Sequence, residues 1–109
     1  MISKQIFFFL LVFVIVVSKV VFLVKFFGRV QGVGFRMFVL GKANALGVTG
    51  WVRNMLARDE VDAVFCGEKV VVDSLIESLK ENVGLIRVDR VIIEDFASSE
   101  EYSDFSIKY

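Results

Sequence analysis

The chain predicts an α/β (α+β) sandwich in which two helices cover one face of an antiparallel sheet of four or five strands. Three observations point there. Segments rich in β-branched and aromatic residues are interrupted by two stretches of helical period. Their order is strand, helix, strand, strand, helix, strand. The composition, 56% hydrophobic with twelve phenylalanines in 109 residues, is ample for one compact core and argues against disorder.

Each element has its own signal. Lys19 to Phe27, "KVVFLVKFF", has the composition of a buried first strand. The glycine-rich "GRVQGVG" follows as a loop. From Phe35 to Leu46 apolar residues recur at three and four positions (Phe35, Phe38/Val39, Ala43/Leu46), and Gly47 stands where a left-handed cap ends a helix. "VTGWVRN", Val48 to Asn54, reads as the second strand. After a polar turn at Arg58-Asp59, Val61, Ala63 and Phe65 alternate with Asp62, Val64 and Cys66 in a third. Gly67-Glu68 should break it. Val72, Leu75, Ile76 and Leu79 form the stripe of a second amphipathic helix, closed by "ENVG". Ile86–Glu94 is a fourth strand and Asp104–Lys108 a short fifth. This is the split βαβ, ferredoxin-like arrangement, with neither repeat nor linker after residue 18.

Met1–Ser18 stands apart. It carries Lys4, an apolar run from Ile6 to Val17, and a Val16-Val17-Ser18 step that a signal peptidase would tolerate. The run is closer to a signal-peptide core than to a membrane span. Because Val20–Phe26 are needed for the first strand, residues 1–18 read as a separate export or anchoring segment and residues 19–109 as the domain. A mistaken translation start is the alternative.

Several chemistries are excluded by composition. The chain has no histidine, which removes the commonest general base and zinc ligand, and any triad built on imidazole. Cys66 is the single cysteine, so there is no disulfide framework or multi-cysteine metal site, and its thiol reads as a small buried hydrophobe. Net charge is zero, yet no acid precedes Asp59, while Lys4, Lys19, Lys25, Arg29, Arg36, Lys42, Arg53 and Arg58 all do. A basic first half can steer an anion, unless folding interleaves the two halves and cancels the field. The spacing of the basic residues and an isoelectric point near 6.2 argue against an extended nucleic-acid footprint.

The chemistry concentrates in "GRVQGVGFR", Gly28–Arg36. Gly28, Gly32 and Gly34 permit left-handed backbone and close approach of a ligand. The loop runs into a helix start, where free N–H groups and the macrodipole favour an anion, and Arg36 adds a planar fork in the first turn. The third glycine of a dinucleotide fingerprint is missing, and no "GK[ST]" follows for a P-loop. On these residues alone, a cradle for a compact dianion and a plain tight turn remain equal readings.

"GRVQGVGFR" followed by "ALGVTGWVRN" (Ala45–Asn54) closely resembles the acylphosphatase family, in order and separation. "RVDRV" (Arg87–Val91) and "YSDFSIKY" resemble that family's fourth and closing strands. The likeness covers Lys19 to Tyr109. It implies an enzyme that hydrolyses small acyl phosphates to a carboxylate and inorganic phosphate. Arg36 would hold the phosphoryl group, backbone N–H groups of Gln31, Gly32, Val33, Gly34, Phe35 and Arg36 would surround it, and Asn54 would hold the attacking water. Such an enzyme needs no metal and no cofactor. The expected partner is the small-molecule acyl phosphate, not nucleic acid. The protein is expected to be a monomer, with membrane attachment only through residues 1–18; the domain type is usually cytoplasmic. The competing reading is a non-catalytic anion- or partner-binding module on the same fold.

Other residues read as structural. Arg29 reads as a solvated loop arginine, and Arg53 should face away from Asn54. Trp51 reads as core, and Asp59 and Glu60 as an exposed turn. The sequence departs from the family pattern in the hairpin "MLARDEV", which lacks an Asp-Gly turn and is about one residue longer. It also has Gly67-Glu68 where Gly-Pro often opens the second helix.

Overall fold

The computed structural model describes residues 18–109; all of the expected leader except Ser18 lies outside the described residues. The elements are β1 (Lys19–Arg29), α1 (Phe35–Leu46), β2 (Thr49–Asn54), β3 (Glu60–Glu68), α2 (Lys69–Leu79), β4 (Arg87–Asp95) and β5 (Phe105–Lys108). They form one five-stranded sheet in the order β4-β1-β3-β2-β5. Three of the four pairings are antiparallel; β5 instead runs parallel to β2, with Val52 opposite Ile107 and Arg53 opposite Lys108. The sheet is therefore mixed at that edge, because the chain reaches β5 by a long return from β4 rather than by a hairpin. Among the described residues, no helix is long and apolar enough to cross a membrane.

The core lies between the helices and one sheet face. Val24 and Phe26 of β1, Val52 of β2, and Val61, Ala63 and Phe65 of β3 meet Phe35, Val39 and Ala43 of α1 and Val72, Leu75, Ile76 and Leu79 of α2. Phe26 packs edge-on against both Phe35 and Phe65, at 5.2 and 6.5 Å between centroids. α1 has the boundaries expected of it, ending at left-handed Gly47, whose N–H reaches back to the last turn. β3 runs on to Glu68 rather than breaking at Gly67, and α2 starts at Lys69 without a loop. The Lys69 N–H donates to the Ser18 carbonyl at 2.7 Å, tying the start of β1 to the start of α2.

The helix-free face differs from expectation. Trp51 is not core: it lies half-buried on this face, across from Val64, with the Lys108 ammonium 4.7 Å and the Arg53 guanidinium 5.6 Å from its ring centroid. Cys66, expected to be buried, is half-exposed and lines a hollow of about 490 Å³ at the far end of the sheet. Asp62 and Val64 are buried on this face by the long side chains around them. Residues of β3 alternate between the two faces, and the second face is roofed rather than bare.

Two glycines in the sheet are close approaches. At Gly50 the backbone has φ 133°, and a Cβ would lie 1.9 Å from the Val64 carbonyl oxygen of the neighbouring strand. Gly50→Ala is expected to cost about 3 kcal/mol, from backbone strain plus this collision, measured as a lowered urea midpoint. At Gly28 (φ 144°) a Cβ would meet the Arg87 carbonyl oxygen at 2.1 Å, where the β1–β4 register shifts. Phe27 faces Arg90 and Gly28 faces Val88, so Asp89 is the extra residue of a bulge that draws β4 against the start of the glycine loop.

Candidate active site

The glycine loop turns on two left-handed residues. Gly32 and Gly34 are left-handed at φ 74° and 84°, while among the described residues none other than glycine has positive φ. Val33 between them and Phe35 after them are therefore ordinary. Gly34 precedes α1 without a side-chain cap, and the first turn carries no acid. The first helical hydrogen bond is Phe38 N–H to Gly34 O, 3.0 Å, which leaves the N–H groups before it without intrahelical acceptors. Arg36, the second residue of α1, is half-buried and lies over the Tyr109 ring at 5.3 Å. Val30, Gly32, Gly34, Phe35, Arg36, Met37, Ile107 and Tyr109 enclose a hollow of about 140 Å³.

Asn54 closes β2 on the helix side, with Arg53 turned to the other face as expected. It lines a neighbouring hollow with Arg53, Met55 and Leu56, not the one that Arg36 lines. The parallel register joins the two. Arg53 sits opposite Lys108, so Tyr109 follows alongside Asn54, and Arg36 lies over Tyr109. The Asn54 Oδ1 is buried and has no hydrogen-bond partner among the described residues. A buried amide oxygen without a donor is costly, so its position invites one from outside the chain.

Two residues of this region escaped the sequence reading. Tyr109 was part of a matching tail but had no assigned contact. Gln31 was expected to contribute only its backbone, yet its Nε2 lies 2.8, 3.0 and 2.9 Å from the carbonyl oxygens of Met55, Ala57 and Glu60. One amide thus fastens the glycine loop to the hairpin beyond Asn54. The hairpin is also closed by Met55 N–H to Glu60 O and Glu60 N–H to Ala57 O, both 3.1 Å, despite its missing Asp-Gly. A long amide among small loop residues was the available signal.

Asp62, the residue across from Arg53, is the ionisable group that the fold perturbs. Burial raises its carboxyl from the ordinary 3.8 to about 7, helped by the hydrogen bond and charge of Glu60 and opposed by Lys25 and Arg53. Between those values the folded chain holds a proton that the unfolded chain has released. This part of the stability is therefore complete below about pH 4 and is lost as the pH rises through 7. Asp62→Asn should leave the melting temperature nearly unchanged near pH 4 and raise it at pH 8, where the buried carboxylate would otherwise be charged.

The acylphosphatase family model matches residues 22–107. The chain belongs to the acylphosphatase family. An acylphosphatase of Geobacter sulfurreducens is 43% identical over 82 residues, 75% of this chain and 89% of that protein. One from Caldivirga maquilingensis is 40% identical over 82 residues, 75% of this chain and 86% of that protein. The solved structure of a Coxiella burnetii acylphosphatase superposes with a TM-score of 0.76 at 37% identity, covering 84% of this chain and 94% of that one. Membership makes the protein a hydrolase of acyl phosphates, and the mixed sheet with two helices on one face is that of its acylphosphatase neighbours.

Proposed function

We propose that the protein hydrolyses small acyl phosphates by direct attack of a water that Asn54 positions on a phosphoryl group held by Arg36 and the loop N–H groups. The observation that carries this reading is the buried, unpartnered Asn54 Oδ1 at the strand end next to Tyr109, on whose ring Arg36 rests. An acyl phosphate is an activated anhydride with a carboxylate leaving group, so neither a metal nor a covalent intermediate is required. Phosphoryl transfer through a loose transition state is accelerated chiefly by positioning and by stabilising charge on the equatorial oxygens. The Arg36 fork and the N–H groups of Gln31–Arg36 supply that charge complement. The Asn54 amide accepts one hydrogen from the water and can donate to its oxygen, which fixes its line of approach. An amide is too weak a base to take the proton, so the proton passes late to a phosphoryl oxygen, and carboxylate and inorganic phosphate leave. All these residues belong to one chain, so a monomer suffices.

The full chain incubated with benzoyl phosphate is expected to release benzoate and inorganic phosphate at the same rate with and without excess chelator. Inorganic phosphate should inhibit competitively. Binding of inorganic phosphate with no turnover would sink the catalytic reading and leave a binding module. Residues 1–18 are read as an export or anchoring segment, and the first residue of the protein isolated from its host distinguishes cleavage from retention.

A further inference from the structure

A second hollow, of about 570 Å³, opens at the same end of the sheet as the cradle, on the β4 side of the loop. Four arginines reach it from three separate segments: Arg29 from the end of β1, Arg58 from the β2–β3 hairpin, and Arg87 and Arg90 from the start of β4. Asp59 and Asp89 are the acids on its wall. Asp89 is engaged by Arg87, with Nε–Oδ1 at 2.9 Å and Nη2–Oδ2 at 3.4 Å. Arg29, Arg58 and Arg90 have no carboxylate partner among the described residues. Arg90 is laid on the Phe27 ring at 4.3 Å, which orients its fork.

We propose that this hollow is a second anion site, separate from the glycine cradle, for a compact ligand carrying two or more phosphate groups. The Gly28 close approach and the Asp89 bulge bring Arg87 and Arg90 against the start of the loop. The Gln31 amide holds the hairpin that carries Arg58 across from them. Guanidinium groups gathered this way repel one another, and a multiply charged oxyanion answers that repulsion with bidentate contacts. The volume is that of a small-molecule site. The two hollows share only Val30 of their linings, and Gln31, whose N–H faces the cradle in the proposed mechanism, also borders the second, so the sites adjoin while Arg36 lines only the first. This site does not depend on the roles proposed for Arg36 and Asn54.

Calorimetric titration of the full chain with tripolyphosphate at low salt tests it. Two classes of site are expected, of which Arg36→Ala retains one. The double variant Arg58→Ser/Arg90→Ser should weaken that remaining class at least tenfold, while inorganic phosphate still inhibits acyl phosphate hydrolysis as in the unaltered chain. Arg58→Gln alone, on an exposed turn, should weaken it about threefold and guards against a folding defect in the double variant. Complete loss of tripolyphosphate binding in folded Arg36→Ala would overturn the proposal, as would undiminished binding in Arg58→Gln and the folded double variant.

Discussion

Arg36→Ala is expected to lower kcat/KM for benzoyl phosphate by about a thousandfold, with the melting temperature nearly unchanged. Losing one preorganised donor to a developing oxyanion typically costs a hundred- to a thousandfold, and Arg36 contributes a full charge and two donors rather than one. Among the described residues its side chain makes no hydrogen bond or ion pair and lies over the exposed Tyr109 ring, so folding should not suffer. Arg36→Lys keeps the charge but loses the planar fork, and should recover only a small part of the rate. Competitive inhibition by inorganic phosphate should weaken in parallel, because the same fork holds product. Activity within tenfold of the unaltered enzyme in Arg36→Ala would remove Arg36 from the site.

Asn54→Ala is expected to lower kcat by a hundredfold or more while KM and phosphate inhibition hardly change. The side chain is assigned to the water, not to the phosphoryl group, so its loss should fall on the chemical step rather than on binding. Asn54→Asp makes a sharper test. It is nearly isosteric but places a negative charge near a phosphoryl dianion, so KM should rise as well as kcat fall. Were Asn54→Ala to raise KM with kcat intact, the amide would be a substrate ligand and the water would need another holder.

The helices and the main strands were legible because their signals are local. The three- and four-residue recurrence from Phe35 and the Gly47 stop define α1, and the Val72–Leu79 stripe defines the buried side of α2. What failed was long-range. Alternation in β3 says that Asp62 and Val64 share a face, but not that Lys25, Trp51 and Arg53 arrive from β1 and β2 to bury it. For the same reason nothing local to Trp51 or Cys66 signals that each lies half-exposed on the helix-free face. The direction of β5 depends on the path of the connection before it, which carries no periodic signal. Within the candidate site, Arg36 and Asn54 stood out through their motifs. The reach of Gln31 to carbonyls 24 to 29 positions away did not.

That reach bears on how the hairpin is free to vary. The Gln31 amide has two protons and three backbone oxygens within 3.0 Å, so one acceptor is always in surplus. Backbone oxygens are supplied by every residue, whatever its side chain. The fastening is therefore indifferent to the hairpin's sequence and tolerant of an added residue, since a shift of one position still brings some carbonyl under the amide. A turn without Asp-Gly can thus be accommodated at the rim of the site, while the Gln31 amide, beside the Gly28 N–H that donates to the Asp59 carbonyl at 2.9 Å, keeps the loop at its distance from the end of β2.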